Sequence, residues 1–156
     1  MKCVNANSLF LGIANTIMDI DVIVANGATA LNQSFIARYL TVYITGVYEQ
    51  SIEEILGEYA STTGQLEVEN FVSNQLDKNF RNPDMSNVIN IVKQFSTTWS
   101  EDLKLLPQKN KDAINSIVNN KNLIAHGQPS LITIADIKVF HADATVVIER
   151  VDSLFL

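Results

Sequence analysis

The chain is short of the residues from which many active sites are built. Among 156 residues there is one cysteine, Cys3, and there are two histidines, His126 and His141. That scarcity excludes an intrachain disulfide, a CxxC redox pair and a cysteine-based zinc site. Neither GxxxxGKS/T, GxGxxG nor HExxH occurs, so nucleotide hydrolysis, dinucleotide chemistry and zinc proteolysis have no support. No metal and no other cofactor is expected. Basic residues are also few: 11 Lys and Arg face 17 Asp and Glu, giving a net charge of -6. A non-specific nucleic-acid coat needs a broad basic face. Any phosphate contact must therefore come from a small local cluster of cations. Long apolar runs are missing as well. Leu9-Phe10-Leu11 and Val22 to Ala25 are short and interrupted by Asn, Asp or Gly. This predicts no bilayer-spanning segment, no signal peptide and no membrane partner. A lone cysteine fits the reducing cytoplasm.

What the chain has is apolar content arranged with helical period. Hydrophobic residues make up 47% and charged residues 18%, a globular composition. A domain of this length buries roughly 70% of the surface of its unfolded chain, so residues 1–156 are read as one domain. Strand-like alternation is nearly absent. Asn7 and Ser8 can cap a helix over about Leu9 to Ala25 that stops at Asn26-Gly27. A long helix follows over about Leu31 to Ser61, with Ile44, Tyr48, Ile52, Ile55 and Tyr59 spaced by three and four. A third covers about Glu67 to Asn79, and Pro83 opens a fourth with the stripe Val88, Ile91, Val92 and Phe95. Ser100 to Leu103 reads as a capped turn before Pro107. A fifth helix spans about Gln108 to Ala125 and stops at Gly127, and Thr133 opens the last with a capping box to Asp136. The fold class is all-α, an up-and-down bundle of about five to six helices.

The chemistry concentrates in Lys121-Asn122-Leu123-Ile124-Ala125-His126-Gly127. At about 100° per residue, Lys121 falls within about 20° of Ile114, inside the apolar stripe of its helix. A lysine there must snorkel, pair with an acid or face an aqueous cleft. Asn122 and His126, four residues apart, share one shoulder of the helix. His126 lies in the last turn, beside the negative end of the macrodipole, and Gly127 has no side chain to screen it. A cation, an amide and a titratable imidazole at one helix end can bind a phosphate and move a proton. The same residues also fit a plain structural role, with Lys121 snorkelling, Asn122 bonded to the backbone and His126 closing a helix. Of the remaining candidates, Glu49 either supports Lys121 or His126 or is a solvated surface residue. Glu53, Glu54 and Glu58 read as a solvated face. His141 reads as structural, and Trp99, Tyr39 and Tyr43 as core or dimer-interface residues. Cys3, near the terminus and outside the expected bundle, has no neighbouring base to make it a nucleophile.

Asn122 to Gly127 resembles the core motif of HEPN domains, written RNxxAHG. The context is similar to the RiboL-PSP type, with a long helix containing Tyr48-Glu49-Gln50-Ser51-Ile52-Glu53-Glu54-Ile55-Leu56 before the motif and Thr133-Ile134-Ala135-Asp136-Ile137 opening a terminal helix after it. The likeness is strongest over residues 34–154. It implies a metal-independent endoribonuclease, acting as a toxin or a phage-defence or stress effector, that forms a homodimer with two motifs across one cleft. By the same resemblance His126 transfers a proton, Asn122 orients the imidazole or phosphate, and Lys121 with Gly127 meets the RNA phosphate. Glu49 stands where the family often carries an acid. An antitoxin or defence-system protein is an implied partner. Lys121 departs from the family arginine: it keeps the charge but loses the bidentate fork. That departure leaves open a non-catalytic module that binds nucleotide, RNA or a protein partner.

Overall fold

The computed structural model describes residues 1–156, and its longest element is the helix expected from the Ile44-to-Tyr59 periodicity. Seven helices form: α1 (Val4–Ala25), α2 (Ala30–Ser61), α3 (Leu66–Asn79), α4 (Met85–Phe95), α5 (Thr97–Lys104), α6 (Gln108–Ala125) and α7 (Ile134–Phe155). The all-α class holds, with one or two helices more than the sequence suggested. The addition is α5. Ser96 caps it by accepting from Trp99 N at 3.3 Å, four residues before the expected turn. Eight residues are too few for a helical period to stand out from a turn.

α2 is the spine. Leu40, Ile44, Tyr48, Ile52, Ile55 and Leu56 are all fully buried along it. Full burial of each such side chain contributes roughly 1.5–3 kcal/mol relative to exposure. α1, α3, α6 and α7 pack directly on α2, α6 lies along α7, and α4 contacts α5 and α6. One end of the core is closed by an edge-to-face cluster of Tyr59, Trp99 and Phe155, with ring centroids 4.9–5.8 Å apart. Trp99 is thus a core aromatic, whereas Tyr39 is exposed and stacks on half-buried Tyr43. The capping box at Thr133 and Asp136 forms as expected, and its hydrogen bonds from Thr133 hold the Asp136 carboxyl below the usual range.

α1 departs from the sequence reading in three ways. It starts at Val4, because the N-cap is Cys3, whose Sγ accepts from Ala6 N at 3.5 Å. Cys3 is inside the core, not outside it, with no exposed surface. Its backbone N–H and that of Lys2 donate to the two carboxylate oxygens of buried Asp152 on α7, at 2.8 and 2.5 Å. Burial holds the Cys3 thiol up to about 11, so it stays protonated at neutral pH. Lastly, α1 is long and apolar enough to cross a membrane by length and composition, although Asp19 and Asp21 interrupt its runs. In the fold its inner residues Ala6, Ile13 and Ile20 are buried. Val4, Leu11, Met18 and Val22, which share the opposite face at about 100° per residue, are 58–76% exposed.

His141 is structural, as expected. Its Nδ1 lies 2.7 Å from the hydroxyl of Tyr48, and Phe10 stacks nearby. Burial pushes the imidazole down to about 4 and the Tyr48 phenol above its usual range. Both groups are therefore neutral, and the phenol donates to the imidazole. The unfolded chain protonates His141 near 6.5, before the folded one does. The resulting stabilisation is complete above about pH 6.5 and is lost as the pH falls towards 4. Urea unfolding of the wild type should lose about 2 kcal/mol more than His141→Gln between pH 7 and 5. Parallel pH profiles for the two proteins would contradict this role.

Candidate functional site

The site is assembled where α2, the loop before α4 and the end of α6 meet. α6 stops because Gly127 adopts φ 67°, a left-handed conformation that a side chain would strain. Gly127 N donates to Ile124 O at 3.1 Å and Gln128 N to Leu123 O at 2.8 Å. This paired closure is a Schellman motif, and Pro129 prevents the helix from resuming. The turn is fastened by Ser130 Oγ, which donates to Asn120 Oδ1 at 2.8 Å. His126, the C-cap residue, is left exposed at the tip.

Lys121 takes neither of the simple routes open to a lysine on an apolar stripe. It is half-buried, and Nζ donates to Asn82 Oδ1 at 2.5 Å and to Asn122 Oδ1 at 3.4 Å. Its partner is thus an amide, not an acid. Asn82 lies in the loop between α3 and α4 with φ 54°, the chain's one non-glycine residue in the left-handed region. Two contacts hold its backbone and a third anchors the start of α4 just beyond it. Glu49 Oε2 accepts from Asn82 N at 2.9 Å, Asn87 Nδ2 donates to Asn82 O at 2.9 Å, and Met85 N donates to Asn115 Oδ1 on α6 at 2.9 Å.

The structure therefore joins Lys121 and Asn122 directly. Glu49 is joined to them only through Asn82. Of the two readings open for Glu49, support of the motif or a solvated surface position, the structure shows neither a direct pair with Lys121 or His126 nor a free carboxylate: the backbone N–H of Asn82 takes it. Gly127 leaves the imidazole unscreened, the feature for which the sequence singled it out. Its N–H is consumed in closing α6, so it offers a ligand open space rather than a donor. No atom lies within 4 Å of where its Cβ would be.

Two clefts differ sharply in charge. The larger, about 660 Å³ between the start of α1, α2 and α3, is lined by Glu53, Glu54, Glu58, Glu69 and Asp77. Glu53 is held above its usual range by burial and by neighbouring Glu49 and Asp77. Such a cleft repels phosphate. The smaller, about 270 Å³, lies at the motif and is lined by Arg38, Ile124, Gly127, Gln128 and Pro129. Nowhere do three His, Cys, Asp or Glu side chains gather as a metal would require. Sequence reading missed Asn82 and Arg38. An Asn before Pro83 does signal a turn, but no spacing links it to residue 121. Arg38 is brought to the motif only by the packing of α6 on α2.

The Asn82 bridge is testable. Asn82→Ala should destabilise the protein by about 2 kcal/mol in urea unfolding, from left-handed strain plus a lost hydrogen bond. Asn82→Gly, which removes the strain and keeps the loss, should cost about 1 kcal/mol less than alanine. Equal effects of the two would mean that the left-handed backbone is not constrained by this network.

The comparisons with known proteins agree with this architecture. The RiboL-PSP-HEPN family model matches residues 8–156, from within α1 to the last residue. No curated protein and no solved structure matches the chain significantly. With a match over nearly its whole length and a helical fold ending α6 in Asn122-Leu123-Ile124-Ala125-His126-Gly127, the chain belongs to the RiboL-PSP-HEPN family of HEPN domains.

Proposed function

We propose that this protein is a metal-independent endoribonuclease that works as a homodimer in the cytoplasm, as a toxin or a phage-defence or stress effector. The observation that carries the reading is the end of α6. There an exposed His126 stands one helical turn from Asn122, whose carboxamide is approached by the Lys121 amine. In the proposed reaction the ribose 2′-oxygen attacks the adjacent phosphorus and the P–O5′ bond breaks. A 2′,3′-cyclic phosphate and a 5′-hydroxyl end result. The 2′-hydroxyl loses a proton and the leaving 5′-oxygen gains one. With two protomers facing one groove, one His126 accepts the first proton and the other supplies the second. Asn122 orients the imidazole or the phosphate, Lys121 adds positive charge that favours the phosphorane-like transition state, and Glu49 supports both through Asn82.

The dimer has a surface to use. At about 100° per residue, Leu31, Phe35, Tyr39 and Val42 of α2 fall within about 100° of one another, on the side that carries Arg38. All four are 44–64% exposed. Pairing along this stripe would bury apolar area and bring two α6 ends together. Nothing in the reading requires a membrane partner, since α1 belongs to the matched domain and packs on α2. An antitoxin or another defence-system protein is the expected regulator.

One observation favours a second reading, a non-catalytic module that binds nucleotide, RNA or a protein. Lys121 has no guanidinium fork, and its amine is already engaged by Asn82. Labelled RNA incubated in EDTA with the wild type, His126→Ala and Lys121→Arg separates the two. A ribonuclease should lose about 100-fold or more in rate with His126→Ala. Equal inertness of wild type and His126→Ala, or activity that survives the substitution, would sink the catalytic reading. Cleavage gained only by Lys121→Arg would identify the native site as attenuated.

A further inference from the structure

The cation provided by the motif is not the one best placed for a phosphate. Lys121 is half-buried and its amine faces Asn82 and Asn122. Arg38, on α2, is exposed at the turn that follows His126 and shares the 270 Å³ cleft with Ile124, Gly127, Gln128 and Pro129. The ion pairs of the chain are Lys104–Glu101, Lys109–Asp143, Lys138–Asp21 and Arg150–Asp102. Arg38 belongs to none of them, so no carboxylate lies at ion-pair distance from its guanidinium. The N–H groups of Gly127 and Gln128 are consumed in ending α6, so an anion in this cleft must be held by side chains. Arg38 and the carboxamide of Gln128 are the donors that border it. The cleft is smaller than the roughly 300–1,000 Å³ of sites that enclose a whole drug-sized ligand. That size suits one phosphodiester of a longer strand.

We infer that Arg38 is the phosphate-gripping residue of this site. Its guanidinium takes two non-bridging oxygens of an RNA phosphodiester beside the His126 turn, with Gln128 as a neutral second donor. The planar fork that Lys121 lacks is thereby supplied from α2. The identity of the strand as RNA rests on the ribonuclease reading. The place and chemistry of the grip rest on the cleft.

The test uses a single-stranded RNA oligonucleotide with 2′-O-methyl groups throughout, which binds but offers no 2′-hydroxyl to attack. Its affinity for the full-length wild type, Arg38→Gln, Arg38→Lys and Lys93→Gln is measured by fluorescence anisotropy at several salt concentrations. Lys93→Gln removes the same charge from an exposed position on α4. Arg38→Gln should weaken binding about tenfold and reduce the salt slope by about one. Arg38→Lys should recover part of the affinity, and Lys93→Gln should stay within about twofold of wild type. The amide resonances of Gly127 and Gln128 should shift when the oligonucleotide is added to wild type and remain still in Arg38→Gln. No binding by wild type, unchanged binding in Arg38→Gln, or equal weakening by Lys93→Gln would overturn the inference. Cleavage that depends on His126 while Arg38→Gln binds normally would leave the ribonuclease reading standing without it. Binding that depends on Arg38, in a protein that never cleaves RNA, would do the reverse.

Discussion

Burial of one long helix is the constraint on which this molecule depends. α2 cannot leave Leu40, Ile44, Tyr48, Ile52 and Ile55 in water, and covering them requires α1, α6 and α7 around it. The site is a by-product of that packing. Glu49 and Arg38 lie on the same rigid rod, about 16 Å apart along its axis at 1.5 Å per residue. α6 runs back along α2, so Lys121 meets the loop that Glu49 holds, while Gly127 reaches Arg38. Both ends therefore rest on helices that pack against the core.

Charge is partitioned in the same way. The acidic residues that make the chain net negative are gathered partly in the cleft between α1, α2 and α3. At the end of α6 Arg38 is exposed and Lys121 is held by amides, with the Glu49 carboxylate reaching it only through Asn82. An amide partner leaves the ammonium charge uncancelled, whereas an ion pair would neutralise it. The acidity that argues against a general nucleic-acid coat therefore agrees with a small cationic cleft.

Much of this was legible in the chain itself. The helices over residues 30–61, 108–125 and 134–155 announce themselves through periodic Ile, Val and Tyr and through Thr133, Asp136 and Gly127. Placing Lys121 on the apolar side of α6 and Asn122 with His126 on one shoulder requires only a helical wheel. What escaped depends on contacts distant in sequence. Cys3 is drawn into the core because Asp152 accepts its backbone N–H from across the fold. Its sulfur then caps α1, a role rarely assigned to cysteine from sequence. For Glu49 the chain left two roles open, and the contact that decides between them runs through Asn82, 33 residues away. Arg38 carries no local signal at all.

The most direct measurement is the chemical identity of the RNA ends produced by the purified protein in EDTA. A metal-free site built on Asn122 and His126 should leave 2′,3′-cyclic phosphate and 5′-hydroxyl ends. Products with 3′-hydroxyl and 5′-phosphate ends, or cleavage that begins only when Mg²⁺ is restored, would contradict it.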